Sequence, residues 1–223
     1  MTNDQLELDV AAELFRDPRV GSGAIAVSAD GGVVTLRGTV GSLREKREAK
    51  KAAERVYGVA AVMDELLVRI QDRDRREDTE LRGDILHALI LDGLIPTTVD
   101  ARVTFGFLTL TGTASWQYQR DEAKFIVANV PGVFGIEDRI KLITAPDGHD
   151  IKNNIGGAFA RSARLDADGL SVSTSPGSVT LSGVVRSWVE HDEAIAAAWA
   201  APGVTEVYDH IRIEYSNKPG CDP

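Results

Sequence analysis

The stretch VVTLRGTV, at Val33–Val40, occurs in three similar versions along the 223-residue chain. It returns as FLTLTGTA at Phe107–Ala114 and as SVTLSGVV at Ser178–Val185. Each version alternates side chains as a β-strand does and carries a glycine at its sixth position. The recurrence predicts a fold in which one unit is repeated three times.

Two sets of glycines fix the length of the repeat, with spacings of 74 residues and then 71 residues in both sets. The sets are Gly38, Gly112 and Gly183, then Gly58, Gly132 and Gly203. About 70 residues is too long for a solenoid repeat and suits a small domain. We therefore expect units at 1–72, 73–146 and 147–216, followed by a tail at 217–223.

Each unit opens with apolar residues at helical spacing. The expected apolar faces are Leu6, Val10, Leu14 and Phe15 in the first unit, Leu81, Ile85, Leu89 and Ile90 in the second, and Ile151, Ile155 and Phe159 in the third. Gly156 and Gly157 interrupt the third face, and each costs about 1 kcal/mol relative to alanine. We expect the third opening helix to be the weakest.

The rest of each unit predicts a hairpin, a helix and a strand. Alternating residues on both sides of a glycine-rich turn are typical of a β-hairpin. The central glycine is interpreted as a bulge or a strand exit, and Gly58 as the cap that ends the second helix. A final alternating strand follows, as in VMDELLVRI. The fold class is α+β: three tandem αββαβ units, each with two helices on one face of a three-stranded mixed sheet of undetermined strand order.

These features resemble the BON (bacterial OsmY and nodulation) domain. The resemblance rests on the VTLxG strand, the following EA helix, the PGV or YGV exit and a final VxDxLxV-like strand, and it covers nearly the whole chain as three copies. The family often has asparagine where this chain has Asp64, Asp138 and Asp209. That difference keeps a short polar residue and is expected to leave the fold intact.

The resemblance implies a non-enzymatic protein without a cofactor. BON domains are linked to osmotic or envelope stress, to phospholipid or membrane contact and to chaperone-like assistance of other proteins. We expect a stress-related binding protein with protein partners. The alternative is a phospholipid-binding protein of the cell envelope. The ligand, the oligomeric state and the arrangement of the units stay open.

The charge and the N-terminal sequence narrow the choice of partner and compartment. A net charge of −9 repels phosphate backbones and argues against nucleic acid. Residues 147–223 carry 6 basic and 11 acidic side chains, the most acidic share. The start, MTNDQLELDV, lacks the basic and then apolar pattern of a secretory signal. We expect a cytoplasmic protein, or a periplasmic one if a signal has been removed.

The titratable residues predict neither a catalytic nor a metal site. His87, His149, His191 and His210 are not spaced as metal ligands, and Cys221 is the one cysteine. No nucleophile can be assigned a paired base. Asp64, Asp138 and Asp209 recur in different units, so a strand-entry turn is the expected role of each.

Two tryptophans are candidate interaction residues. Trp116 and Trp188 follow the central glycine where the strand should turn into the second helix. Counted from that glycine, Trp116 is equivalent to Ser42 and Ser187. An exposed tryptophan at such a place can anchor a partner or a membrane interface. The alternative is a ring that covers a neighbouring unit.

A basic stripe is the other candidate. Helical spacing places its four cations opposite the apolar face formed by Ala49, Ala52, Ala53 and Val56. The stripe consists of Arg44, Arg47, Lys51 and Arg55. It could meet anionic headgroups or an acidic protein, and the alternative is a solvated helix face. The third unit lacks an equivalent stripe.

Overall fold

The computed structural model describes residues 2–69, 76–143, 155–158 and 169–215. Met1–Ala145 forms one compact body and Pro146–Pro223 another. The first body holds the first two sheets, and the second body holds the third sheet. The α+β fold class predicted from the sequence is confirmed, and each body is described by itself below.

In the first body, each unit follows the predicted order of helix, hairpin, helix and strand. The first unit consists of α1 (Asn3–Arg16), a 3-10 turn (Ser22–Ala24), β1 (Ile25–Asp30), β2 (Val33–Val40), α2 (Leu43–Glu54) and β3 (Ala61–Val68). The second consists of α3 (Asp78–Leu91), β4 (Asp100–Thr104), β5 (Phe107–Ala114), α4 (Gln117–Ala128) and β6 (Gly135–Leu142).

The described part of the third unit repeats this order. Residues 155–158 are helical, and Ile155 is fully buried. The remaining elements are β7 (Leu170–Ser175), β8 (Ser178–Val185), α5 (Trp188–Trp199) and β9 (Glu206–Ile213). Ile151 and Phe159, which were predicted to share the helical face of Ile155, lie outside the described residues.

The quoted stretch is the central strand of every sheet. The strand orders are β1-β2-β3, β4-β5-β6 and β7-β8-β9. The first two strands of each sheet pair antiparallel and the last two pair parallel. The parallel pairing requires a crossover, and the second helix of the unit supplies it. This settles the strand order that periodicity left open.

The opening helices bury a narrower face than the sequence predicted. Leu6, Val10 and Leu14 are buried in the first unit, and their equivalents Leu81, Ile85 and Leu89 are buried in the second. Phe15 is 80% exposed, so its predicted place on the apolar face is wrong, and Ile90 is likewise exposed. Each follows the last buried residue by one position, and a 100° rotation carries it out of the core.

The central glycine lies inside the strand, and the predicted strand exit is wrong. Gly38 pairs with Ile25 on one side and with Leu66 on the other, and β2 continues to Val40. Its φ of 133° is unfavourable for other residues. A Cβ atom there would lie 2.0 Å from the carbonyl oxygen of Ala24. The glycine is required because the chain entering β1 crosses directly over it.

The prediction that Gly58 caps the second helix of the first unit is wrong. α2 ends at Glu54 with Arg55 as its C-cap, three residues before Gly58. Gly58, with φ of 97°, belongs to the turn that leads into β3. After this turn, the backbone N–H of Ala60 donates to the carbonyl oxygen of Gly32 in the hairpin.

Each unit has its own hydrophobic core between its sheet and helices. In the first unit, Val34, Leu36 and Leu66 from the sheet meet the alanine face of α2. Ala49, Ala52 and Ala53 of that face are fully buried, as predicted. Alanines let the helix approach the sheet closely, which leaves the long side chains on the other sides of α2 available for other contacts.

Candidate interaction surface

A groove lies between the second helices of the first two units. It encloses about 490 Å³ and is called the α2–α4 groove below. Its lining combines apolar side chains with four cations and two carboxylates. The lining residues are Leu43, Lys46, Arg47, Lys50, Asp64, Asp121, Lys124, Phe125, Ala128 and Ile136. Lys46, Lys50 and Lys124 are paired with Asp64, Glu54 and Asp121, so the apolar part of the lining is what the groove offers to a ligand.

Arg47 and Phe125 join the two units across this groove. The guanidinium carbon of Arg47 lies 4.5 Å from the centre of the Phe125 ring, within the range of a cation–π interaction. Leu43 also packs against the core of the second unit. Phe125 nevertheless remains 47% exposed, so its ring is available to a ligand as well as to Arg47.

The predicted basic stripe divides into two exposed cations and two that make internal contacts. Arg44 and Lys51 are exposed, and no ion pair is seen for them among the described residues. Arg47 packs on Phe125, as described above. Arg55 pairs with Glu13 at 3.1 Å and with Asp17 at 3.0 Å. The structure therefore does not place all four cations on one open face, and their role in binding stays a prediction.

Trp116 occupies a helix-capping position that its side chain cannot use. Ser42 and Ser187, at the equivalent positions, are the N-caps of α2 and α5, and each hydroxyl accepts a backbone N–H. An indole has only a donor, so Trp116 cannot do the same at the start of α4. The side chain of Gln119 instead accepts the N–H groups of Ser115 and Trp116.

The two tryptophans differ in availability. Trp116 is 38% exposed. Trp188 is half-buried, and its ring meets His191 edge to face with centroids 5.1 Å apart. Of the two candidate anchors, Trp116 therefore presents more of its ring to a partner.

Sequence reasoning missed two further aromatic residues on α4. Tyr118 is 53% exposed and lies two helical turns before Phe125 on one side of the helix. The name aromatic surface is used below for these two rings and Trp116, the exposed aromatic residues along α4 and at its N-cap; of the three, only Tyr118 and Phe125 share a side of the helix. Their seven-residue spacing was visible in the sequence, but exposure could not be told from burial without knowing which side of α4 faces the sheet.

The repeated aspartates link each final strand to the helix that precedes it, and the predicted strand-entry turn is wrong. Each is the fourth residue of its strand, and its carboxylate accepts the backbone N–H two residues further on at 3.0 Å. Each carboxylate also meets a basic side chain at an equivalent helix position. The pairs are Lys46–Asp64 at 3.4 Å, Arg120–Asp138 at 2.6 Å and His191–Asp209 at 2.7 Å.

Asp17 is the centre of a buried ion cluster that sequence reasoning also missed. Its side chain is 4% exposed and pairs with Arg19 at 2.7 Å and with Arg55 at 3.0 Å. Hydrogen bonds from Arg19 hold the pKa of the Asp17 carboxyl well below its usual range, although burial acts in the opposite direction. This cluster joins α1 to the end of α2 and serves the fold.

The described residues contain neither a metal-binding cluster nor a membrane-spanning helix. In those ranges no three His, Cys, Asp or Glu side chains are grouped closely enough to hold a metal ion. No helix there is long and apolar enough to cross a bilayer. His149 and Cys221 lie outside the described residues.

The fold and the repeated contacts define a class of protein built from tandem αββαβ domains. The family model of the BON domain matches residues 2–70, 77–144 and 147–215. The chain belongs to the BON domain family.

The chain is 33% identical over 150 residues to the osmotically-inducible protein Y of Escherichia coli K12, covering 63% of this chain and 73% of that protein. Two solved structures of CdsD, a structural protein of the type III secretion system of Chlamydia trachomatis, align over 96% of this chain. They cover 94% and 100% of the CdsD chains, at 13% and 12% identity, with TM-scores of 0.27 and 0.26. At these scores the alignments carry no argument about this chain.

Proposed function

We propose that this chain is a non-enzymatic, stress-related binding protein that acts through contacts with other proteins, including chaperone-like contacts with partly unfolded segments. Membership of the BON family and the name of the osmotically-inducible relative support the link to osmotic stress. The mode of binding is argued from the surface of α4 and the groove beside it.

Trp116 is the observation that carries the proposal. An N-cap serine is worth about 0.5–2 kcal/mol over a residue that cannot accept a hydrogen bond. The second unit gives up this contribution and exposes a large aromatic ring instead. A residue that costs helix stability and leaves 38% of its surface exposed points to a role outside the fold, and tryptophan is enriched among residues that dominate protein interfaces.

The surroundings of Trp116 indicate the chemistry of the partner. Tyr118 and Phe125 add exposed rings along α4, and Phe125 lines the α2–α4 groove. Aromatic side chains favour apolar contacts, whereas Lys46, Lys50 and Lys124 of the groove are already paired with carboxylates of the chain. The fitting occupant is an extended protein segment rich in aliphatic or aromatic residues.

Trp116→Ser separates binding from stability. Serine restores the hydroxyl cap that the other two units have, worth about 0.5–1 kcal/mol, but it also removes the buried part of the indole, so we expect the stability of the second unit to change by less than about 2 kcal/mol. The same change removes an aromatic anchor, so binding of a reduced, carboxymethylated, permanently unfolded model protein should weaken by about tenfold, equivalent to about 1.4 kcal/mol. Fluorescence anisotropy of the labelled model protein measures the affinity.

A matched control replaces an exposed apolar residue away from the groove. Ile90 is 77% exposed on α3 and does not line the groove. Ile90→Ser should leave the affinity within twofold of the intact chain. Equal affinity of the intact chain and the Trp116→Ser variant, or equal losses in both variants, would contradict a specific role for the aromatic surface.

Phospholipid contact remains the second candidate because of two specific cations. Arg44 and Lys51 are exposed on α2, and the neighbouring α2–α4 groove adds further positive charge. Anionic headgroups attract such residues. Protein binding is preferred because the whole chain has a net charge of −9. This charge weakens the attraction of the two exposed cations to anionic headgroups more than it weakens apolar contacts of an aromatic ring.

A further inference from the structure

The third unit contains a titratable version of a contact that is permanently charged in the other two. Lys46, Arg120 and His191 each lie eight residues after the central glycine of their unit. Each meets the repeated aspartate of the final strand. Lysine and arginine keep their charge through neutral pH, whereas histidine changes its charge there.

The geometry around His191 favours the imidazolium form. Its Nε2 lies 2.7 Å from Asp209 Oδ2, and its Nδ1 lies 3.3 Å from Asp192 Oδ1. Both ring nitrogens therefore face carboxylate oxygens. An imidazolium can donate to both, but a neutral ring must present one unprotonated nitrogen to an anion. The His191 side chain is only 13% exposed, so water cannot fully replace a lost contact.

Among the described residues, the elements packed against α5 offer few other groups that could affect this titration. From β9, Asp209 faces the helix, and from β8 the residues buried toward it are Val179, Leu181 and Val185. On α5 itself, Asp192 contacts His191 directly, while Glu190 accepts the backbone N–H of Arg186. The ring of Trp188 covers part of the imidazole.

We propose that the His191–Asp209 contact makes the third unit pH-responsive: protonated His191 holds α5 against β9, and loss of that proton loosens the two elements. The first two units lack this response because Lys46 and Arg120 occupy the equivalent position. A lower pH therefore stabilises the contact between α5 and β9 in one of three otherwise similar domains, and a higher pH weakens that contact.

The direction of the response follows from the charges. The contact with Asp192, opposed by burial and joined by the contact with Asp209, raises the pKa of His191 above its usual value of 6.5. A group whose pKa is higher in the folded state binds more protons there than in the unfolded state. Its stabilising contribution is complete below about pH 6.5 and disappears as the pH rises through the folded-state pKa.

The test uses the full chain and a local readout. The carboxylate of Asp209 accepts the backbone N–H of Ile211, so exchange of this amide reports the state of the contact. Hydrogen exchange by NMR, corrected for the intrinsic rate, should show a several-fold loss of Ile211 protection between pH 6 and 9. Protection of the equivalent Ile140 amide in the second unit should stay constant over that range.

Two reciprocal variants make the test specific. His191→Arg copies the second unit and should remove the pH dependence at Ile211. Arg120→His copies the third unit and should introduce a pH dependence at Ile140. Constant Ile211 protection in the intact chain, or an unchanged pH profile in His191→Arg, would overturn the proposal.

If a variant folds poorly, a direct titration of the His191 ring still tests the proposal. The ¹⁵N shifts of the His191 ring in the intact chain should give a pKa above 6.5. In the Asp209→Asn variant, that pKa should fall because one anion is removed. A His191 pKa at or below 6.5 in the intact chain would overturn the proposal, whatever the behaviour of the variants.

Discussion

Gly112 lies directly beneath the carbonyl group of Thr98, so that a Cβ atom at position 112 would be 2.1 Å from the Thr98 oxygen. The same approach occurs at Gly38 beneath Ala24 and at Gly183 beneath Gly169. In each unit, the segment entering the first strand crosses the central strand at its glycine. This crossing explains why the glycine recurs in all three copies of the quoted stretch.

Gly112→Val should destabilise the second unit by at least about 2 kcal/mol, because valine would be held at φ of 117° and would collide with a backbone oxygen. Urea unfolding followed by Trp116 fluorescence measures this in a chain whose Trp188 and Trp199 are replaced by phenylalanine. Gly83→Ala is the control of opposite sign. That glycine lies in α3 with open space around it, so alanine should add about 0.5–1 kcal/mol. An unchanged urea midpoint for Gly112→Val would contradict the close approach of the Thr98 carbonyl oxygen to position 112.

The contacts of Asp138 between α4 and β6 predict that two substitutions of this residue lower the stability of the second unit by different amounts. Its carboxylate is 13% exposed, receives the N–H of Ile140 and pairs with Arg120. Asp138→Ala should cost about 1–3 kcal/mol, since a buried N–H loses its acceptor. Asp138→Asn should cost less because the amide oxygen can still accept from Ile140. Equal losses in both variants, by the same fluorescence assay, would show that the ion pair alone matters.

The Asp17 cluster predicts an acid-dependent loss of stability in the first unit. A carboxyl whose pKa is depressed by folding stabilises the folded state above the unfolded-state value of about 3.9. That contribution is lost as the pH falls toward the folded-state pKa. Native-state hydrogen exchange of α1 between pH 7 and 3, corrected for intrinsic rates, should show this loss in the intact chain.

Asp17→Asn should reduce α1 protection at pH 7 and flatten its dependence on pH. The control is Asp9→Asn, because the contact of Asp9 with the Gln5 side chain can be kept by an amide. If the pH dependence of α1 protection is the same in the intact chain and in Asp17→Asn, the acid sensitivity of α1 comes from other carboxylates and the role of Asp17 is contradicted.

The charge distribution predicts weak binding to membranes. Two exposed cations, Arg44 and Lys51, can contribute about 1 kcal/mol each near an anionic bilayer. The net charge of −9 opposes this, most strongly in the third unit. We expect no substantial co-sedimentation with phosphatidylserine-containing vesicles at about 150 mM salt.

Two variants with the same net charge test that expectation. Arg44→Glu with Lys51→Glu reverses the exposed cations of α2, whereas Arg102→Glu with Lys141→Glu makes the same change on the second sheet. Strong, salt-sensitive sedimentation of the intact chain that disappears only in the first variant would favour the phospholipid reading over protein binding.

Local patterns in the sequence predicted the elements and their order. The alternation around Gly38 gave the hairpin, and the spacing of Leu6, Val10 and Leu14 gave the buried helix face. The reason for the glycine was beyond the sequence because the oxygen above it belongs to Ala24, 14 positions earlier, and the contact depends on strand register. The prediction that Gly58 caps α2 failed because a glycine after a helical pattern can either end the helix or form part of the next turn.

The candidate surface was less predictable because it depends on contacts between units. Arg47 lies on α2 and Arg55 is its C-cap, but the spacing of the basic stripe could not show their partners Phe125 and Asp17. The exposed rings of Tyr118 and Phe125 became visible only once the sheet-facing side of α4 was known. The shared position of Lys46, Arg120 and His191 was a signal in the sequence, and comparing the units by offset from the glycine would have found it.

Hydrogen-exchange mass spectrometry of the full chain, with and without the reduced, carboxymethylated model protein, tests the account of protein binding most directly. We expect added protection in peptides covering Trp116 and α4, and in those covering α2 on the other side of the groove. Trp116→Ser should weaken that protection at equal concentrations. Protection confined to other elements, or none at a concentration where anisotropy shows the complex to be formed, would contradict binding through α4 and the α2–α4 groove.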